Sequence, residues 1–224
     1  MNANNWAKAY ALLPDLVSVL LTGVVSTIVI TLGGLVLAIC LGLVFAVCNA
    51  LPSRLLRAIA RIYVEVFRAV PVLTQLFVIY FGLAQLGLRL EPLTAAILGF
   101  GINGGAYLTE VFRAGIEAIG RGQIEAGFAV GMTRLQAMRY LVLPQAIRVV
   151  LPPLGNFAVG LLKDTSVASA VAAPELSFRA RMLVDQTFLS TQIYLMVAVL
   201  YLCMSLPLSR LTRALERRMG GRPA

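Results

Sequence analysis

Lys163 and Asp164 are the only two charges between Arg148 and Glu175. An ionisable residue inside a lipid-spanning segment is costly, so its default reading is functional. Helix neighbours at i and i+1 point in different directions, and the two groups are therefore expected to address different partners. A zwitterionic solute needs a cation for its carboxylate and an acceptor for its ammonium. Lys163 and Asp164 offer both, with Asn103, Gln75 and Thr165 as neutral hydrogen-bonding candidates. The alternative is an ion pair between helices or subunits that holds an outer gate.

A second pattern is the pentapeptide Glu65-Val66-Phe67-Arg68-Ala69, which recurs as Glu110-Val111-Phe112-Arg113-Ala114. Each copy sets Glu and Arg at i, i+3, where a helical ion pair can form. The surroundings are not otherwise alike, so this is no domain repeat. The four charged residues are read either as local pairs whose stems lie along apolar surface or as parts of an inner gate.

Other chemistry is excluded by what the chain lacks. With no histidine, His-based acid–base catalysis and His-liganded metals are ruled out. Cys40, Cys48 and Cys203 lie in apolar runs without CxxC spacing, which opposes a zinc site or disulfide framework. They are read as small apolar packing residues. Neither lysine, Lys8 nor Lys163, follows a glycine, so the phosphate-binding loop GxxxxGK[ST] is absent. The chain has no ATPase site of that kind and no nucleophile–base constellation, and it is not read as an enzyme.

The elements that must position these residues are membrane helices. Of the 224 residues 59% are hydrophobic and 13% charged, whereas soluble domains carry roughly 25% charged residues. About 20 apolar residues cross the hydrocarbon core, and five segments qualify: about 20–48, 59–86, 92–112, 147–171 and 192–208. The first is too long for a signal-peptide core and is expected to stay in the mature protein. The third contains Gly101-x-x-x-Gly105, a step that lets another helix approach closely.

The net charge of +9 then reads as orientation. With the N-terminus outside, thirteen basic residues fall on the inner side: Arg54, Arg57 and Arg61; Arg113, Arg121, Arg134, Arg139 and Arg148; and Arg210, Arg213, Arg217, Arg218 and Arg222. Only Lys8, Arg89, Arg179 and Arg181 fall outside. Cytoplasmic loops carry the excess of Lys and Arg, so the expectation is N-out, C-in.

Between the third and fourth spans lies a cytoplasmic loop with its own design. It reads as a short helix, a break and a second helix. Gly131 suits the left-handed residue that ends a helix. Thr133 and Gln136 form a capping box that starts the next. Pro144 is expected to stop that helix before the chain re-enters the membrane. Leu135, Met138 and Val142 share one face, with Phe128 and Met132 near the break. A short helix with an apolar face suits a groove on a partner; a plain surface helix is the alternative. A DNA-reading helix-turn-helix, with Arg134 and Arg139, would lack its three-helix core here, so no nucleic acid is expected.

At these residues the chain resembles the permease subunits of bacterial ABC importers, and their polar amino acid uptake branch in particular. That family's loop reads E-A-A, three residues, G, nine residues, I, one residue, L-P. Here Glu125-Ala126-Gly127, Gly131, Leu141 and Leu143-Pro144 fall at the same spacing, with Gly127 for the second Ala and Leu141 for Ile. The stretch from Phe67 through Arg68, Pro71 and Gln75 to Gly82 is similar to the branch's F-R-G-T-P-x-x-x-Q-L pattern, with Ala69 in place of Gly. Leu143-Pro144-Gln145-Ala146, Lys163-Asp164-Thr165-Ser166 and Pro174-Glu175-Leu176 also look like branch features. The resemblance covers about residues 18–215.

The resemblance implies an all-α integral membrane protein of about five transmembrane helices, N-out and C-in, with the type I importer bundle and a cytoplasmic coupling helix. It implies a multi-pass protein of the bacterial inner membrane. Residues 1–19 would lie outside and 20–215 would form the membrane domain. The coupling loop would occupy about 117–145, followed by a basic tail over 216–224. Two permeases, copies or paralogues, would pair in the lipid around a path for a polar amino acid or similar solute. A periplasmic binding protein would deliver it. ATP would be used by cytoplasmic ATPase subunits, with no cofactor bound by this chain. Glu125, Ala126, Gly127, Phe128, Gly131, Met132, Thr133, Leu135 and Met138 would dock the ATPase. A secondary transporter or channel acting without an ATPase is the other class, and the absence of an evident inverted repeat weighs against it.

Overall fold

The computed structural model describes residues 3–218, and no strand occurs among them. Arg222, one of the thirteen basic residues assigned to the inner side, lies outside these residues, as do the first two residues and the end of the basic tail. A short α1 (Ala3–Ala11) leads into α2 (Leu13–Ala50), 38 residues long. Next come α3 (Arg54–Ala69), α4 (Val72–Gln85) and α5 (Pro92–Glu117). The loop after α5 contributes α6 (Arg121–Ala129), and α7 runs over Arg134–Val171. α8 (Leu176–Thr187) and α9 (Ser190–Arg218) complete the chain.

Helix α2 is the spine, and three buried apolar clusters follow one another along it. Leu16 and Leu20 pack with Leu176, Leu183 and Ile193. Ile30 meets Leu76, Phe100, Leu161 and Val171. Ala38 and Ala46 meet Leu108 and Phe112. Lipid is as apolar as leucine, so close packing rather than water exclusion holds such helices together. The glycines of α5 serve that end: a Cβ at Gly104 would stand 2.9 Å from Ala38 Cβ, and one at Gly105 2.7 Å from Leu41 Cβ. The expected small-residue step is a packing seam between α2 and α5.

Among the described residues three helices, α2, α7 and α9, are long and apolar enough to cross a membrane, and α3 with α4 make a fourth span if the bent pair counts as one. The bend between them is 104°, within the span expected over 59–86 with Glu65, Arg68 and Pro71 as its interruptions. Pro71 explains the break: it cannot donate a hydrogen bond, and its ring opposes helix at the residue before it. Helix α5 is the fifth long helix, at 26 residues. Its glycines, Asn103 and terminal charges keep it out of the strongly apolar set, and it lies enclosed by its neighbours.

Two further expectations change. Pro144 does not end a helix, because α7 continues from Arg134 to Val171. A π turn over Met138–Val142 absorbs the missing donor, with Leu143 N bonding to Met138 O and Pro144 seated at the start of the next α-helical stretch. The cysteines are also not core residues throughout: Cys40 and Cys203 are exposed and Cys48 is half-buried.

Candidate translocation cavity and docking loop

The break at Pro71 places the first functional candidates. Without a Pro71 amide, the carbonyl of Phe67 loses its backbone partner, and a buried carbonyl needs one. Two side chains supply it: Gln75 Nε2 donates at 2.9 Å and Asn103 Nδ2 at 2.8 Å. Gln75 Nε2 also reaches Val70 O at 2.8 Å. Both amides therefore splint the bend and tie it to α5. Tyr63 adds a bond from its hydroxyl to Ile102 O at 2.7 Å, and its ring stacks on Phe45 of α2 with centroids 3.9 Å apart.

A cavity of about 510 Å³ opens between α5 and α7. Asn103, Tyr107, Asn156 and Asp164 give it polar walls, and Pro153, Phe157 and Leu161 give it apolar ones. Phe157 lies parallel to Tyr107 with centroids 6.0 Å apart. Of the five path candidates, the structure brings Asn103 and Asp164 together here. Lys163 is exposed and is not part of the lining. Thr165 is fully buried and donates to Leu162 O at 2.7 Å, and Gln75 stays at the bend. Tyr107 and Phe157 were not singled out from sequence, where aromatic residues in a span look like packing. Tyr107 carries a signal only in hindsight, one turn beyond Asn103.

The two copies of the pentapeptide behave differently. Arg113 holds Glu110 Oε2 through Nη2 at 2.6 Å and Glu117 Oε2 through Nη1 at 2.7 Å. Glu65 and Arg68 form no ion pair among the described residues, and Arg68 instead lies over the Tyr107 ring, 5.6 Å from its centroid. A second cavity, about 420 Å³, sits at the ends of α2, α3 and α5, walled by Asn49, Arg57, Arg61, Glu110, Arg113 and Glu117.

In the loop, Gly131 has φ +81°, a conformation that any Cβ disfavours. Thr133 Oγ1 accepts from Gln136 N at 3.3 Å, and Gln136 Oε1 accepts from Thr133 N at 2.8 Å. The break and the capping box are thus as the sequence implied. Gly127 is tightly placed, since a Cβ there would come within 2.7 Å of Leu141. The shared apolar face is graded instead of uniform: Val142 is buried, Met138 partly exposed and Leu135 77% exposed. Phe128 and Met138 line a cleft with Ile124, Ala137 and Val142. Val130 and Leu135 stand out beside it.

On the far side, Glu175 caps α8. Its Oε1 accepts from Phe178 N at 2.6 Å and its Oε2 from Ser177 N at 2.8 Å. Tyr201 of α9 donates to Oε2 at 3.1 Å. The side chain is fully buried, and that burial pushes its pKa up, while these hydrogen bonds pull it partly back.

A broken helix, a polar cavity between long apolar helices and a capped loop at one end define a polytopic transport subunit. The chain belongs to the family described as binding-protein-dependent transport system inner membrane component, whose pattern matches residues 38–221. It is accordingly a multi-pass inner-membrane permease subunit of an ABC importer, a transport component and not itself an enzyme. It is 36% identical over 226 residues to the "Probable amino-acid permease protein YxeN" of Bacillus subtilis (strain 168), covering 98% of this chain and 97% of that protein. It is 35% identical over 217 residues to the glutamine transport system permease protein GlnP of Escherichia coli (strain K12), covering 96% and 97%. Among solved structures it resembles an amino acid ABC transporter crystallised with histidines, with TM-score 0.89 and 32% identity, covering 97% of this chain and all of that one.

Proposed function

We propose that this permease forms, with a second permease, the membrane path for a polar amino acid or a similar small solute. A periplasmic binding protein delivers the solute, and ATP hydrolysed by a cytoplasmic ATPase drives import. The observation that carries this reading is the cavity shared by Asn103, Tyr107, Asn156 and Asp164. It offers a carboxylate for an ammonium group, amides for hydrogen bonds and aromatic walls for the side chain. Two relatives, a probable amino-acid permease and a glutamine permease, favour the same substrate class.

The loop supports the ATPase part. Within the coupling region over about 117–145, Glu125, Ala126, Gly127, Phe128, Gly131, Met132, Thr133, Leu135 and Met138 form the docking surface, set by the turn at Gly131 and the cap at Thr133. Residues 20–215 make up the membrane domain, between an outer segment over 1–19 and an inner tail over 216–224. Glu65, Arg68, Glu110 and Arg113 belong to the inner gate. Lys163, outside the cavity, serves a partner subunit or the outer gate rather than the solute.

Purification in detergent tests the assembly: an ATPase subunit should co-purify, and its consistent absence would refute the reading. Gly131→Asp should leave membrane insertion intact while ATPase attachment and coupled uptake are lost. Uptake competition with a panel of labelled amino acids, using the whole complex, identifies the substrate.

A further inference from the structure

Charged residues on α3 keep to one side of the helix. Arg57, Arg61, Glu65 and Arg68 follow at steps of four, four and three, which is one stripe at 3.6 residues per turn. On α5, Asn103, Tyr107, Glu110 and Glu117 form a matching stripe. The two helices lie side by side, joined by the bonds Tyr63–Ile102 and Asn103–Phe67, and they run in opposite directions, because Arg57 and Arg61 near the start of α3 share a cavity with Glu110 and Glu117 near the end of α5. The stripes therefore pass from the mid-depth cavity beside Asn103 to the cavity at the helix ends beside Arg57.

Exposure to lipid does not suit such a stripe. Ile102 to Tyr107 lie about 15–23 Å along α5 from Pro92, well inside a hydrocarbon core roughly 30 Å thick. Glu65 and Arg68 are level with them, and both are exposed on the single chain. An ionised side chain facing lipid at that depth is costly, so the stripe must face water or a partner. The apolar residues Leu55, Ile59, Ile62 and Val66 form a separate exposed face of α3, and that face suits lipid or another helix.

The charges along the stripes are not balanced. Arg113 is occupied by Glu110 and Glu117. Arg57, Arg61 and Arg68 have no carboxylate within ion-pair distance among the described residues. Arg57 also keeps a buried Nε without an acceptor. A guanidinium is a planar fork that fits a carboxylate.

We propose that the two cavities are consecutive compartments of one inward route, with Arg68 over Tyr107 as the constriction between them. Below it, Arg61 and then Arg57 receive the carboxylate of the departing solute. Arg68 and Arg61 are about 10 Å apart along the helix and Arg61 and Arg57 about 6 Å, steps that a small solute can cover by exchanging one guanidinium for the next. This rests on the importer reading and adds the route, its constriction and the part of the solute it handles.

The test uses the whole complex in proteoliposomes with a radiolabelled mixture of the polar amino acids, glutamine and histidine among them, as the probe. Arg61→Gln and Arg57→Gln should each slow uptake roughly 3- to 10-fold, the equivalent of about one charge-assisted contact. ATP hydrolysis stimulated by the binding protein should stay within about twofold of its original value. Arg61→Lys should recover part of the loss. Unchanged uptake in both glutamine variants would overturn the proposal. Water access gives a readout that does not depend on turnover. In a background with Cys40, Cys48 and Cys203 replaced by serine, Arg61→Cys should react with a charged thiosulfonate from the cytoplasmic side. Reaction with a lipid-soluble maleimide alone would overturn the route. If the unsubstituted complex shows no ATP-driven uptake, the importer reading fails; if it does and Arg61→Cys is closed to water, only the route fails.

Discussion

The same five residues, Glu-Val-Phe-Arg-Ala, end α3 at Ala69 and lie within α5 at Glu110–Ala114. In α5 the helix continues for another turn and supplies Glu117, so Arg113 is clamped between two carboxylates on its own helix. In α3 the helix stops at Ala69 ahead of Pro71, no later carboxylate is available, and Arg68 turns to the Tyr107 ring of α5. Local sequence permits the i, i+3 pair in both places. The next turn of the chain, and the helix packed beside it, decide whether the pair forms. One copy is self-contained; the other depends on its neighbours.

If that contrast is right, the greatest sensitivity should lie in the groups that stabilise the break. Replacing Gln75 and Asn103 together by leucine would leave the Phe67 carbonyl without either donor. An unsatisfied buried polar group costs about 1–3 kcal/mol, so the double variant should lose at least about 2 kcal/mol of stability, read as a lower unfolding midpoint in detergent. Each single variant should lose less, because the other amide still reaches Phe67. A double variant as stable as the parent would mean that the bend does not need the splint, and the difference between the copies would have to come from elsewhere.

The cap at Glu175 offers a buried reference on the opposite side of the bundle. Glu175→Ala should cost about 1–2 kcal/mol, the range for a lost N-cap. Glu175→Gln should cost less, since its carbonyl oxygen still accepts from the start of α8. Burial holds the Glu175 pKa above the ordinary carboxylate value, so the ionised form is the one the fold disfavours. Its contribution to stability is therefore complete below the unfolded-state pKa and falls as pH rises through the raised one. The Glu175→Gln variant should lack this fall, a difference measurable by thermal unfolding across pH.

The range of each interaction decides how much of it was legible in the sequence. The capping box at Thr133 and Gln136 and the left-handed Gly131 are local, and they could be read from residues a few positions apart. The glycine seam of α5 was visible as a spacing, although its partner on α2 was not. Gln75 and Asn103 stood out as polar groups in spans, but their use depended on a carbonyl orphaned by Pro71, a fact about backbone geometry. Pro144 misled for the converse reason: a π turn let the helix pass, so proline alone did not fix where it ended. Asp164 and Asn103 meet in one cavity while Lys163 faces away, an outcome set by the rotation of α7 against α5.

Next in size is the clamp itself. Glu110 and Glu117 are partly exposed, with side chains 29% and 61% accessible, and exposed ion pairs contribute under about 1 kcal/mol. A double-mutant cycle on Arg113 with Glu110 and Glu117 should therefore show coupling below about 1 kcal/mol that weakens with salt. Coupling well above that would indicate that this copy is held by the protein around it as well, and the contrast with α3 would narrow.

The smallest effect should come from the contact that replaces the ion pair in α3. An exposed guanidinium over an aromatic ring gains about 0.5–1 kcal/mol, so Tyr107→Phe should be nearly neutral for stability, since it keeps the ring. Tyr107→Leu removes the ring and should cost no more than about 1 kcal/mol through this contact. The informative readout is whether the Tyr107 ring crowds position 68, which a label in place of the arginine side chain can report. A spin label on Arg68→Cys should gain mobility in the Tyr107→Leu background and not in Tyr107→Phe. A label on Arg113→Cys should be indifferent to both, because the residues that surround that position in its own helix do not include Tyr107. If the two labels respond alike, the copies share an environment and their identical sequence, not their surroundings, governs them.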